Sequence, residues 1–343
     1  MRKVSQYTNL AVGVLDRIVR PRVSKVTIPV TYDCNQKCKT CDIWKINKED
    51  PSLRAKEVAV EEFGKFLQVN RLLWVALTGG EPFLRKDMSN LLEEALTHCS
   101  LVSVTTNGFD WAKLTQDVGL GLSRSRDSLL AVNVSFEGPQ DIHDMVTGTE
   151  GSYRRALSTL KALRALGNPR LRVGVSYTTS SYNEGRFLDF VQEMGRDFPG
   201  LNALTYGIGQ DSPSYYQDSL HRVKVAPQEE EVRQVVNMAL PSFKGYSPFT
   251  WVGRKYLEGL VNGRRPKCVA GTYSLMLDPY WNVYPCMFFC PSTPVGNLRE
   301  VDFDLRKLDY ARIKDLVGKC KIPCWTPCEA YSTIVFRPWR VLR

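Results

Sequence analysis

Between residues 25 and 208 the chain alternates short apolar, β-branched runs with longer segments whose apolar residues recur at helical spacing. Lys25-Val-Thr-Ile-Pro-Val-Thr-Tyr32 is the first such run and reads as a strand. So do residues 72–78, 101–106, 129–136 and 171–178, and a sixth near 203–208. The intervening and following segments at roughly 57–69, 87–98, 152–166, 183–196 and 227–240 read as helices. In 152–166 the apolar residues fall on one face, with Ser152 placed to cap the start and Gly167 the end. About six strand–helix repeats predict a parallel sheet covered by helices. The pattern stops near 245–265. Beyond it, two short strands, Tyr273–Leu277 and Val283–Tyr284, flank a turn, Asp278-Pro-Tyr-Trp-Asn282, and a polar helix follows at about 305–317. The expected organisation is an N-terminal basic amphipathic helix over 1–23, an α/β unit over 24–245, and a small hairpin-and-helix unit over 246–343.

With 343 residues, 43% of them hydrophobic, the chain can bury both a barrel-sized core and a small second unit. No apolar run is long enough to span a bilayer. Residues 1–23 lack the uncharged core and cleavage site of a signal peptide. A cytoplasmic location, where thiols stay reduced, is therefore expected. The net charge of +10 sits mostly at the two ends: Arg2, Lys3, Arg17, Arg20, Arg22 and Lys25 oppose only Asp16, and Arg337, Arg340 and Arg343 close the chain around Phe336 and Trp339. A basic amphipathic helix of this kind can lie on an anionic membrane surface. It can equally cap the floor of a barrel with its arginines in water. Nucleic-acid binding is open on charge alone, but no motif accompanies it.

Ten cysteines change the picture. Cys99 stands alone in an apolar junction and reads as a small buried hydrophobe. Three lie in Cys34-Asn-Gln-Lys-Cys38-Lys-Thr-Cys41, directly after the first strand, and six follow residue 266. Three thiolates at this spacing can hold three irons of a [4Fe-4S] cluster and leave the fourth open, whereas an electron-transfer cluster takes four cysteines. A zinc knuckle would want paired CxxC elements and a fourth ligand, and no histidine is near. The second strand ends in Gly79-Gly80-Glu81-Pro82, where two glycines let backbone approach a ligand closely and Glu81 offers charge to an ammonium.

The CxxxCxxC triplet and the GGEP element at the next strand end resemble the radical S-adenosylmethionine (SAM) enzymes. The resemblance implies a partial (β/α)6, TIM-like barrel over residues 24–240 and a SAM-binding [4Fe-4S] cluster on Cys34, Cys38 and Cys41. It implies SAM contacts from Gly79, Gly80, Glu81 and Pro82, and from Asn107, Ser135, Glu137 and Thr178 at later strand ends. It further implies an external electron donor such as flavodoxin or ferredoxin, and hydrogen abstraction by a 5′-deoxyadenosyl radical. One departure concerns the adenine: the family usually has an aromatic residue just before the third cysteine, and here it is Thr40. Trp44 is either the substitute ring or ordinary packing.

The later cysteines, with Gly296-Asn297-Leu298 between them, resemble the C-terminal auxiliary-cluster module of these enzymes, in its full (SPASM) or shortened (twitch) form. Six cysteines imply one auxiliary [4Fe-4S] cluster. The expected ligands are Cys268, Cys286, Cys324 and Cys328, with Cys320 able to replace Cys324 and Cys290 the spare. Disulfides and a zinc site are the competing readings. The expected substrate is a small, sugar-like or lipid-like metabolite, oxidised or rearranged with the auxiliary cluster as electron acceptor. This rests on the cysteine count, on Met287 where sulfatase maturases carry an acid, and on the first strand starting near residue 25, which weakens the peptide reading without excluding a separate recognition protein. Modification of a ribosomal peptide or protein is the alternative; a non-catalytic iron-sulfur or zinc protein is another. Tyr206, Asp211, Tyr215 and Tyr216 follow the sixth strand and either face the cavity or form an ordinary surface loop. Asp278 is expected as a turn residue, and His143 and His221 as surface residues.

Overall fold

The computed structural model describes residues 2–125, 127–200, 204–211, 224–243, 247–263, 267–322 and 324–340. Tyr215, Tyr216 and His221 lie outside them. Six strands run in chain order: β1 Lys25–Pro29, β2 Trp74–Thr78, β3 Leu101–Thr106, β4 Leu129–Phe136, β5 Leu171–Thr179 and β6 Leu204–Ile208. Each pairs parallel with the next, in the register Lys25↔Trp74, Trp74↔Leu101, Leu101↔Leu129, Leu130↔Leu171 and Val175↔Leu204. All six expected strands are present, and the α/β half-barrel is the fold.

The strands have two unlike faces. Val26, Ile28, Val75, Leu77, Val102, Val104, Leu130, Val132 and Val134 are fully buried in the main core. They pack under α3 (Val60–Asn70), α4 (Met88–His98), α5 (Trp111–Arg124), α7 (Ser152–Ala165) and α8 (Phe187–Asp197). A one-residue slip would turn this whole row to the other face. Each such side chain contributes about 1.5–3 kcal/mol by burial, so the register is firmly fixed. The alternate positions, such as Thr78, Ser103, Thr105, Asn133, Ser135 and Ser176, are polar and partly or fully solvent-accessible. They line the concave side.

Several helices escaped the periodicity. These are α2 (Ile43–Glu49), α5, α6 (Gln140–Thr147), α10 (Pro248–Asn262) and α12 (Pro327–Phe336). In α5 the cause is local: Gly119 and Gly121 are poor helix formers. A Cβ on Gly121 would press on Leu92 of α4, at 2.8 Å, so close helix packing demands the glycine. Ser152 is not the N-cap of α7. Gly151 holds that position with φ 74°, and Asp144 of α6 accepts from Gly151 N, Tyr153 N and Ser152 Oγ in place of a cap. Gly167 adopts φ 58° just past the helix end, as expected of a terminating glycine. The polar helix near 305–317 is split into a short 3-10 turn, Leu305–Lys307, and α11, Tyr310–Lys319.

The C-terminal hairpin extends the same sheet. β7 (Ser274–Leu277) pairs parallel with β1, and β8 (Asn282–Tyr284) and β9 (Gly296–Asn297) add to it antiparallel. Asp278 is indeed a turn residue: it accepts from Tyr280 N, Asn282 N, Asn282 Nδ2 and the Tyr284 hydroxyl. α1 (Arg2–Val19) crosses the floor, where Leu10 and Val14 pack with Leu73, Tyr273 and Phe336. Arg17 is buried and donates to the Arg71 carbonyl. The inner face of α1 thus caps the barrel, while Val12, Leu15 and Val19 stay exposed. Among the described residues no helix is long and apolar enough to cross a membrane.

Candidate cluster and cofactor site

The cysteine loop leaves the C-terminal end of β1, at the edge where parallel α/β folds place their chemistry. Its backbone is strapped on both sides. On one side Gly80 N donates to Thr31 O at 2.9 Å, and Glu81 N to Asp33 O at 2.7 Å. A Cβ on Gly79 would overlap the Thr31 carbonyl, and one on Gly80 the Asp33 carbonyl, so only glycine permits this approach. On the other side Lys37 N and Lys39 N donate to Thr147 O and Val146 O at the end of α6. Glu57 ties down the strand exit, accepting from Thr31 Oγ1, Tyr32 N and Asn47 Nδ2.

Cys38 lies within electrostatic reach of both Cys34 and Cys41. Burial pushes Cys34 up to about 11, and raises Cys38 well above its usual value with Cys41, Glu137 and Cys34 adding negative charge. Among the described residues no three metal-binding side chains converge as they would on a single ion. A cubane sets its ligands farther apart than one ion does. Asn107 bridges β3 to the loop, donating to Asn35 Oδ1 at 2.7 Å with Cys34 Sγ 3.9 Å away.

Glu81 does something other than offer a free charge. Its carboxylate accepts from Phe83 N, Thr106 Oγ1 and Asn107 N, at 2.7–3.0 Å, and is 3% exposed. It braces the ends of β2 and β3 together, and burial pushes it up to about 7. The unspent acid is Glu137, after β4. Its Oε2 is buried without a partner, and burial raises the carboxyl to about 7. Glu137 N donates to His143 Nδ1 at 3.0 Å, and Asn183 Nδ2 ties Glu137 O to Thr178 O. His143, expected at the surface, is 1% exposed, and burial depresses it to about 4. A neutral imidazole accepting a backbone N–H left no signal in the sequence pattern. Ser135 lies beside Ser176 in register, on the concave face. Trp44 carries Lys37, Lys45 and Lys48 around its ring at 5.4–5.8 Å, and its buried indole N–H has no partner. Tyr206 is buried, and Asp211 is spent on Val225 N and Ala226 N.

In the second group, no cysteine is in a disulfide. Cys268 and Cys286 flank the hairpin. Desolvation raises both, Cys268 to about 12, and each feels Glu329 and Cys324; Cys268 also feels Cys320. Cys328, in the first turn of α12, feels Lys25 and Glu329 instead. Cys290 is 1% exposed, 4.0 Å from the Tyr32 hydroxyl and packed with Met276, Tyr284 and Met287. Cys99 is buried, as expected.

A parallel half-barrel with a thiol loop strapped to its mouth defines a class of cluster-carrying α/β proteins. Residues 28–194 match the Radical SAM superfamily. The chain is 30% identical over 276 residues to the mycofactocin maturase MftC of Mycobacterium ulcerans, covering 77% of this chain and 68% of that protein. It belongs to the radical SAM superfamily. It is also 26% identical over 282 residues to the antilisterial bacteriocin subtilosin biosynthesis protein AlbA of Bacillus subtilis, covering 81% of this chain and 58% of AlbA. The chain thus spans less than two thirds of AlbA's length. Streptococcus suis SuiB bound to S-adenosylmethionine shares the fold, with TM-score 0.63 and 14% identity over 87% of this chain and 68% of SuiB; SuiB is also solved bound to its precursor peptide SuiA.

The superfamily's [4Fe-4S] cluster and SAM fit the first site. Three thiols on one loop, with Cys38 in the field of both others, match the donor set, and the buried Glu137 oxygen without a partner leaves a polar atom for a cofactor.

Proposed function

We propose that this chain is a radical SAM enzyme acting on a ribosomally made peptide. The carrying observation is the chain's similarity to a bacteriocin biosynthesis protein and to a maturase, on a fold shared with a protein solved with its precursor peptide. The expectation of a sugar-like or lipid-like metabolite gives way to this reading.

Cys34, Cys38 and Cys41 hold the SAM-binding cluster, and Gly79, Gly80, Pro82, Asn107, Ser135, Glu137 and Thr178 surround the cofactor; Glu81 orients Asn107. When bound, cluster and SAM supply a radical able to abstract hydrogen from an unactivated C–H bond. The chain's own groups do the positioning. The concave face offers hydroxyls and one amide, Thr78, Thr105, Asn133, Ser135 and Ser176, towards the mouth, with the cations Lys25 and Arg172 at the other end of the same face. Cys268, Cys286 and Cys324, completed by Cys320 or Cys328, hold one auxiliary [4Fe-4S] cluster in a SPASM/twitch-type unit. When bound, that cluster would supply an acceptor for the electron left on the substrate. An external flavodoxin- or ferredoxin-type donor supplies the reducing electron.

The test is anaerobic co-expression with short peptides encoded beside this chain's gene, read by mass spectrometry. Loss of two hydrogens from one peptide, dependent on Cys34, supports the reading. Unchanged peptides together with turnover of a small metabolite would restore the earlier expectation.

A further inference from the structure

Lys25 sits in the middle of the sheet, on β1, and is 1% exposed. Its ammonium donates to the Cys328 carbonyl and lies 4.3 Å from the centre of the Trp74 ring. Among the described residues it makes no ion pair within contact distance. Glu329, the next residue, is 8% exposed and accepts from Ser274 Oγ of β7. Burying a lysine and a glutamate together is expensive unless something uses their charges. What lies around them is the second cysteine group. Lys25 holds the Cys328 carbonyl directly, and Glu329 follows Cys328 in the chain and is tied to β7, the strand between Cys268 and Cys286.

We propose that Lys25 and Glu329 are opposed positioning charges that set the reduction potential of the auxiliary cluster, Lys25 also anchoring the first turn of α12 to the barrel. This rests on the auxiliary-cluster reading above. Reduction adds an electron, so a nearby cation favours it and a nearby anion opposes it. In a low-dielectric interior such charges act at several ångströms. The SAM-binding cluster, at the opposite end of β1, serves as an internal reference.

The experiment is an EPR-monitored redox titration of the anaerobically reconstituted full chain, comparing the signal that shifts on SAM addition with the one that does not. Lys25→Met should move the midpoint of the SAM-insensitive signal to more negative potential, and Glu329→Gln to more positive. Lys25→Arg should stay near the unmodified protein, and the SAM-sensitive midpoint should stay fixed in all three. If Lys25→Met fails to fold, Glu329→Gln, which keeps the hydrogen bond from Ser274, decides the matter. Unmoved midpoints, equal movement of both signals, or, where both variants fold, movement in one of them alone overturn the proposal. Absence of any SAM-insensitive signal in the unmodified protein would instead overturn the auxiliary-cluster reading on which it rests.

Discussion

Cys34, Cys38 and Cys41 share one loop, held by backbone bonds to Gly80, Glu81, Val146 and Thr147. Cys268, Cys286, Cys320, Cys324 and Cys328, from which the second set of ligands is proposed, come from the two sides of a hairpin, from the segment after α11 and from the first turn of α12. The first site is a local motif that the barrel supports from both sides. The second exists only because β7 joins β1 and brings distant segments together. A local site announces itself by spacing. An assembled one announces only that cysteines are plentiful, and leaves open which of them meet.

The sharpest way to break this comparison is to remove single thiols. Cys34→Ala, Cys38→Ala and Cys41→Ala should each reduce 5′-deoxyadenosine formation to background, while Cys99→Ala, a buried thiol far from either group, should leave it intact. Cleavage surviving in any of the first three would dissolve the assignment of the local site. Next comes iron content: about eight irons per chain after reconstitution, falling to about four in Cys268→Ala or Cys286→Ala. About four in the unmodified protein would leave the assembled site without a cluster.

Smaller effects probe how firmly the first site is built without its cofactor. Glu81 holds its proton to about pH 7 in the folded chain, against an ordinary value of 4.5. The folded state therefore binds more protons than the unfolded between those values, and stability falls as pH rises through them, by on the order of 3 kcal/mol. In the cluster-free protein the advantage of the native chain over Glu81→Gln should shrink from pH 5 to pH 7 in thermal melts. A difference that does not change with pH would mean Glu81 is ionised throughout. Gly80→Ala should cost about 2 kcal/mol or more by pushing the Asp33 carbonyl away, with weakened cluster retention; an unchanged melting temperature would show that the strap yields. At the bottom of the scale, Arg54→Ala removes a solvent-screened pair with Asp33 and should lower stability far less than Gly80→Ala does. A loss as large as that would show the loop to be pinned by that ion pair rather than by its backbone.

Much of the barrel was legible because its signals are local. Alternating β-branched runs specify strands, and a valine or leucine facing a helix looks the same in the sequence as in the core. The misses share a cause. α5 was hidden by Gly119 and Gly121, the second of which is explained only by Leu92 on another helix. Ser152 looks like a cap until Asp144, from the preceding helix, takes the task. Glu81 looks like a free charge until Thr106 and Asn107, from the next strand, occupy it. His143 has an ordinary sequence environment and an extraordinary spatial one, under Glu137 N.

Strand–helix alternation, the thiol loop with its two glycines after the second strand, and the clustering of six cysteines beyond residue 266 are all written in neighbouring residues. Each depends on residues close along the chain, where spacing alone fixes what can meet. Only the tertiary structure decided that the C-terminal hairpin continues the barrel sheet through β1, that Glu137 rather than Glu81 keeps an unspent carboxylate oxygen, and that Lys25 lies beside Glu329 although three hundred residues separate them. Those outcomes follow from parallel pairing and burial, which join segments remote in sequence and leave no periodic trace in any one of them.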